Sequence, residues 1–417
     1  MPHRSARELA LAALREWRTQ ESFADSILGR LLESSDLVGA DRAFTTELFY
    51  GTLRHLSLVD FWIGSLRNGH LDHDARDLLR LGLYQLFLLK TPEHAAVYET
   101  VQLASARVRP LVNAILRNAV RGREDLLEKA SRQSLSIRTS HLQFLIDRWT
   151  QNFDAEKAER LCLWNNQPAP TYSRINRLKS SVEDFLSQHA DIERLPQHEN
   201  FVRLTSIPIE SLSKGHCYIQ DPSTAAACLL LAPRPGETVL DACAAPGGKT
   251  GYLAELMKNQ GAIVACDRDQ GRLGTLRDNL ERLGVGIARL VRQDWTRDKF
   301  SPEIEAIAPF DRILIDAPCS NTGVMRRRVD LRWRLIPTEF SRLREEQLRI
   351  LRATIPLLKT GGVLVYSTCS IEPEENEDVV HTLLQEFPFL QLTGQVSSFP
   401  FREGFDGAFA ANLVRVA

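Results

Sequence analysis

The sequence predicts three successive architectures: an all-α helical bundle, a small α+β connector module, and a C-terminal α/β domain on a parallel sheet. Length is the first observation, because 417 residues at ~150 per domain hold two or three cores. Periodicity is the second: apolar residues recur every three or four positions to about residue 123, then lose that period. They return as short β-branched runs alternating with helical patterns. Composition is the third, since 43% hydrophobic and 25% charged residues exclude a disordered, collagen-like or coiled-coil chain. The boundaries are set at residues 1–125, 126–231 and 232–417.

In the first region Phe44, Leu48, Leu56 and Val59 share a helical face after Asp41, which is placed as an N-cap. Leu111, Ile115 and Leu116 form another face, and Gly122 closes the last of five to seven helices. The middle region opens with a helical stretch at 142–165 and loses its period after Pro168 and Pro170. Strand-like pieces follow at 172–175 and 201–204. From Pro233 onward strands are expected at 238–242, 262–266, 288–291, 312–315 and 362–367, with helices at 250–258, 271–283 and 339–358. Leu273, Leu276, Leu280 and Leu283 mark the buried face of the second of these helices. Such alternation predicts a parallel sheet covered by helices on both sides.

The net charge of −1 confines any nucleic-acid binding to local patches. Arginine outnumbers lysine 43 to 9. Its planar fork suits phosphates and base stacking, although GC-rich codon usage accounts for the bias equally well. Cys162, Cys217, Cys228, Cys243, Cys266, Cys319 and Cys369 are odd in number and never spaced C-x-x-C, so no disulfide framework and no metal cluster is expected. A reducing cytoplasm follows. The stretch 1–18 mixes Arg and Glu among its apolar residues, unlike a signal peptide, and the longest apolar run, 81–89, is shorter than the ~20 residues of a membrane helix.

In a doubly wound sheet ligands lie beyond the C-terminal ends of the strands. Asp241, Asp267, Asp294 and Asp316 fall at four such ends. The loop after the first strand, Asp241-Ala-Cys243-Ala244-Ala245-Pro246-Gly247-Gly248-Lys249-Thr250, is glycine-rich and opens a helix. It matches a P-loop except that Cys243 stands for the first glycine, and it lacks the dinucleotide fingerprint. S-adenosylmethionine (SAM) fits the acidic rim better, because a triphosphate would be repelled without magnesium. Asp267 would accept from both ribose hydroxyls and Asp294 from the adenine amine, with Arg272 in the same cofactor set. Turn residues and helix caps are the alternative for any single aspartate.

Asp316-Ala-Pro-Cys319-Ser320 and Ser367-Thr-Cys369-Ser370 follow the fourth and fifth strands, which places both thiols on the acidic rim. A lone cysteine there is more often a small buried hydrophobe. Two at neighbouring strand ends point to pyrimidine carbon 5 methylation, where a thiolate adds to carbon 6 so that carbon 5 becomes nucleophilic. An unperturbed thiol is only ~3% ionised at pH 7, so a cation such as Lys249 would assist. Asp316, protonated against the cytosine ring nitrogen, could stabilise the resulting enamine. The residues alone leave the two cysteines interchangeable.

These motifs, with Gly404-Phe-Asp-Gly-Ala-Phe-Ala, resemble the NOL1/NOP2/Sun (NSUN) RNA 5-methylcytosine methyltransferases over residues 218–417. Asp41-Arg-Ala-Phe44, Glu47-Leu-Phe-Tyr-Gly-Thr52, Leu79-Arg-Leu-Gly-Leu-Tyr-Gln85 and Leu111-Val-Asn-Ala-Ile-Leu-Arg-Asn118 resemble a NusB-type RNA-binding domain. The resemblance implies a NusB-like bundle and a Rossmann-like SAM-dependent methyltransferase domain. It implies Cys369 as nucleophile and Cys319 in product release, with the loop 241–249, Asp267, Asp294 and Asp316 on SAM. It also implies a 16S rRNA hairpin loop as partner, with cytosine 967 as target, and a monomer with no metal or membrane. Ala408 departs from the pattern where a bulkier aromatic is common.

RNA contact has support of its own in the segment 325–334, where Arg326, Arg327, Arg328, Arg332 and Arg334 surround Trp333. The cations would hold phosphates while the indole stacks on an unpaired base. The alternative is a loop whose tryptophan packs on the core.

Overall fold

Residues 5–189, 191–297 and 299–416 are described by a computed structural model. Met1 to Arg4, at the start of the predicted bundle, and Ala417, at the end of the α/β domain, lie outside them. The chain divides into two compact units, Met1–Gln167 with Met325–Leu335, and Pro168–Val324 with Ile336–Ala417. No helix among the described residues is long and apolar enough to cross a membrane.

The first unit is helical because its apolar residues keep a helical period and its turns carry capping chemistry. The first helix, Ala6–Thr19, starts with a reciprocal Ser5–Glu8 capping box. Seven helices run from there to Arg121, and Gly122 is the C-cap of Arg109–Arg121, as expected. Asp41 is not a cap: Gly39–Arg54 starts after Val38, and the carboxylate lies in the first turn, where it still favours the helix dipole. The stretch 142–165 is two helices, Gln143–Asn152 and Ala155–Asn165, because the Asp154 carboxylate accepts from Lys157 N at 2.8 Å and restarts the backbone. Trp62, Phe49, Leu79 and Leu116 lie in the core, joined by Val329 from the segment Met325–Leu335.

The second unit contains two sheets. Strands β1 (Thr171–Ile175), β2 (Ile192–Arg194), β3 (Phe201–Leu204) and β4 (Cys217–Ile219) form an antiparallel sheet in the order β2-β3-β1-β4. Asn176 Nδ2 fastens this module to the larger sheet's helices by donating to the Leu283 carbonyl at 2.9 Å. The larger sheet is made of β5 (Thr238–Asp241), β6 (Ala262–Asp267), β7 (Ala288–Arg292), β8 (Phe310–Asp316), β9 (Leu358–Thr368), β10 (Leu390–Ser398) and β11 (Ala408–Arg415). Its order is β10-β11-β9-β8-β5-β6-β7. Strands β5 to β9 pair in parallel, as predicted, and the helix Gln270–Leu283 buries the leucine face expected of it.

The sheet is mixed, however, and this corrects the parallel-sheet expectation. Strands β10 and β11 pair antiparallel with each other and β11 with β9. β10 is an edge strand, mostly exposed on both faces, so it lacks the β-branched run that flags a buried parallel strand. β11 begins Ala-Phe-Ala-Ala, which carries little strand propensity.

Candidate active site

The sheet order reverses beside β5, and the strand ends there build the site. Asp241 closes β5, Asp267 closes β6, Asp316 closes β8, and Asp294 lies just beyond β7. Gly247 adopts φ +108°, a left-handed turn that a side chain would strain, and this starts the helix Gly248–Leu256 directly after the loop. Arg272 braces the loop, its guanidinium donating to the Ala245 carbonyl at 2.7 Å and pairing with Asp267 at 3.2 Å. Asn279 holds the Pro246 carbonyl at 2.9 Å.

Asp241 is fully buried and accepts from the Thr250 hydroxyl at 2.7 Å. Its other oxygen has no hydrogen-bond partner among the described residues. Burial pushes this carboxyl up to about 7 despite the Thr250 bond. Burial also raises the Cys243 thiol, with Asp241 adding to it. Asp294 differs: the Thr296 hydroxyl donates to it at 2.6 Å and holds its carboxyl below the ordinary value.

Asp316 and Ser367 are register partners across β8 and β9, and Ser367 Oγ donates to Asp316 at 2.9 Å. Lys249 Nζ meets the other Asp316 oxygen at 2.6 Å. Burial works against the Lys249 ammonium, but the charge and hydrogen bond of Asp316 outweigh it and raise its pKa. Beyond these strand ends Cys319 Sγ and Cys369 Sγ lie 3.3 Å apart. The Cys319 thiol is pushed well above its ordinary value, first by its hydrogen bond with Cys369 and then by burial.

Three side chains that the sequence reading missed complete the site. Asn321, at φ +58°, accepts from Cys369 Sγ at 2.9 Å and donates to the Cys319 carbonyl at 2.7 Å. Glu375 and Gln347 lie behind the cysteines, with Gln347 Nε2 donating to both Glu375 and the Pro318 carbonyl at 3.0 Å. Gln347 was detectable, because it interrupts the apolar stripe of Phe340, Leu343, Leu348 and Leu351 on Thr338–Thr354. Gly323 and Gly407 touch backbone to backbone, where a Cβ on Gly323 would come within 2.6 Å of the Gly407 carbonyl.

The basic segment is placed differently from the expectation, inside the helical unit. Arg326 is buried and stacks on Trp164, its guanidinium 3.9 Å from the ring centroid. Arg332 is fully buried, donating to Asn166 Oδ1 at 2.6 Å and to the Asn165, Arg54 and Ser140 carbonyls. Trp333 is half-buried and donates to the Leu53 carbonyl at 2.9 Å. Arg328 is exposed and Arg327 half-exposed. Guanidiniums and indole pack here because planar faces stack on rings while carbonyls satisfy their donors. Among the described residues no cluster of three or more His, Cys, Asp or Glu could hold a metal.

Residues 228–414 match the family model of the 16S rRNA methyltransferase RsmB/F, residues 4–121 that of the NusB family, and residues 141–204 that of an RsmF/B-like ferredoxin-like domain. A probable ribosomal RNA small subunit methyltransferase B of Bacillus subtilis is 35% identical, over 93% of this chain and 90% of its own length. The ribosomal RNA small subunit methyltransferase B of Yersinia enterocolitica is 36% identical over 98% of both chains. Among solved structures, PH0851 superposes with a TM-score of 0.79 at 26% identity over 98% of both chains. A methyltransferase homolog protein from Pyrococcus horikoshii has a TM-score of 0.60 at 31% identity, over 68% of this chain and 98% of its own.

Proposed function

The chain belongs to the ribosomal RNA small subunit methyltransferase B family, and we propose that it methylates carbon 5 of a cytosine in a 16S rRNA hairpin loop, cytosine 967, through a cysteine adduct. The observation that carries this reading is the pair of thiols 3.3 Å apart beside the Lys249–Asp316 ion pair.

The residues present fit SAM. Asp241 offers a buried acceptor without a partner, the helix start at Gly248 offers amides for a carboxylate, and Asp267 and Asp294 stand at the next two strand ends for the ribose and the adenine amine. When bound, SAM supplies an electrophilic methyl group.

The protein residues do the rest. Cys369, once its thiol has given up the proton it donates to Asn321, is the sulfur that adds to carbon 6, with Cys319 3.3 Å away. Electron density displaced by that attack collects on the ring nitrogen. A proton passed from the Lys249 ammonium through Asp316, its acceptor at 2.6 Å, stabilises that nitrogen. Once carbon 5 carries the methyl group, water takes its proton, the C5–H electrons restore the ring double bond and the C6–S electrons return to Cys369. Cys319 assists this release. A hairpin loop suits the reaction because an unpaired base costs least to extrude. Arg327 and Arg328, the more exposed arginines of the basic segment, are assigned as its phosphate contacts.

Cys369→Ala is expected to abolish methylation and adduct formation, whereas Cys319→Ala accumulates RNA covalently attached to protein. Denaturing gels with labelled RNA read both. Adduct in the Cys369 variant would reverse the assignment, and bisulfite mapping of rRNA with and without the protein locates the target base.

A further inference from the structure

Behind the two thiols lies a carboxylate for which the proposed chemistry has no use. Glu375 is fully buried and ends the short turn Pro373–Glu375. One of its oxygens accepts from Ser320 N at 2.9 Å and Gln347 Nε2 at 3.0 Å. The other accepts from Ser370 Oγ at 2.6 Å and from Ser320 Oγ. Its main-chain carbonyl is held by the Tyr366 hydroxyl at 2.5 Å, from β9. Ser320 follows Cys319 and Ser370 follows Cys369, so a single carboxylate binds the residue after each thiol.

We propose that Glu375 is a positioning residue that sets the 3.3 Å spacing of Cys319 and Cys369 by clamping both cysteine loops to one buried carboxylate. This rests on the adduct reading above. The loops leave adjacent strands, and strand pairing alone fixes them only as far as Asp316 and Ser367. Beyond that register, Glu375 gathers donors from Ser320, Ser370 and the helix Thr338–Thr354. A carboxylate buried at this depth is costly unless its lone pairs are filled, and four donors fill them. The oxygens reach no solvent, so Glu375 acts through the cysteines and touches no substrate.

The test uses a reagent that reads the spacing directly. Phenylarsine oxide bridges two thiols held at such a separation, and Cys319→Ala gives the background for single-thiol capture. Glu375→Ala is expected to bridge at least tenfold more slowly than wild type and to lower single-turnover methyl transfer about 100-fold, the scale of an ångström-sized misplacement. SAM and RNA dissociation constants should stay within about twofold. Glu375→Gln keeps an acceptor for Ser320 N and Gln347 and an amide that rotated hydroxyls can accept from. It is expected within about tenfold of wild type. If Glu375→Ala does not fold, Ser370→Ala, which removes one arm, carries the same expectation in weaker form. Unchanged bridging in either variant overturns the proposal, and so does a glutamine variant as damaged as alanine. A wild-type protein that methylates without any Cys369 adduct would defeat the adduct reading, while the arsenical still reports whether Glu375 sets the gap.

Discussion

Arg328 and Arg332 show how much one residue's surroundings decide. Arg332 has carbonyls and an amide oxygen for partners, and burial, with Arg54 nearby, pushes its guanidinium down to about 9. Arg332→Ala strands those buried acceptors, and a loss of about 2–4 kcal/mol in the helical unit is expected in urea titrations. Arg328→Ala should leave stability within about 0.5 kcal/mol but reduce the salt slope of RNA binding by about 1. An unchanged midpoint for Arg332→Ala would show that the segment is not anchored. The sequence made the aspartates and cysteines visible because each follows a strand in a short motif, and local pattern suffices for that. It hid Asn321 and Glu375, whose roles exist only once two loops from different strands are brought together.

Single elements carry the next level of organisation, and β1 is the clearest. Its Arg174 is fully buried against Glu255 at 3.1 Å, donates to the Gly248 carbonyl at 3.2 Å and lies over the Tyr252 ring at 4.6 Å. The connector strand thus grips the helix that opens the cofactor loop. Arg174→Met would remove the cation beside Glu255 and the donor of the Gly248 carbonyl, and a loss of about 1–3 kcal/mol is expected, growing above pH 7 as Glu255 ionises. Calorimetric SAM affinity should fall about tenfold if β1 holds the loop in place. Wild-type values for both quantities would remove β1 from the account. The parallel strands and the leucine-faced helix Gln270–Leu283 were legible because burial on two faces or one imposes a strong apolar period. An exposed edge strand such as β10 imposes none, and the alanine-rich β11 is specified by its neighbours on either side.

Across the whole molecule the two units answer acid with opposite signs. In the helical unit His55 is buried, and burial lowers it to about 3, with Arg54 and Arg332 adding to the effect. Burial also holds His141 well below its ordinary value, although a hydrogen bond to the Thr139 carbonyl opposes it. Both are neutral when folded and take up a proton near pH 6.5 when unfolded. The unfolded chain therefore binds more protons, and stability is complete above about pH 6.5 and falls as the pH drops toward 3. Each histidine is expected to cost about 2 kcal/mol between pH 7.5 and pH 5. In the second unit burial raises Asp241 and Glu255 to about 7 each. There the folded state binds the extra proton between about pH 4 and pH 7, so acidification over that window relieves buried charge by roughly 3 kcal/mol per group. Unfolding followed at pH 7.5 and pH 5 should therefore show the helical transition, reported by Trp62 and Trp149, moving to lower denaturant. The second transition, reported by Trp295, should hold or rise, separating the two. His55→Phe should remove about half of the helical unit's acid sensitivity, and a parallel shift of both transitions in the same direction would contradict the burial assigned to these four groups.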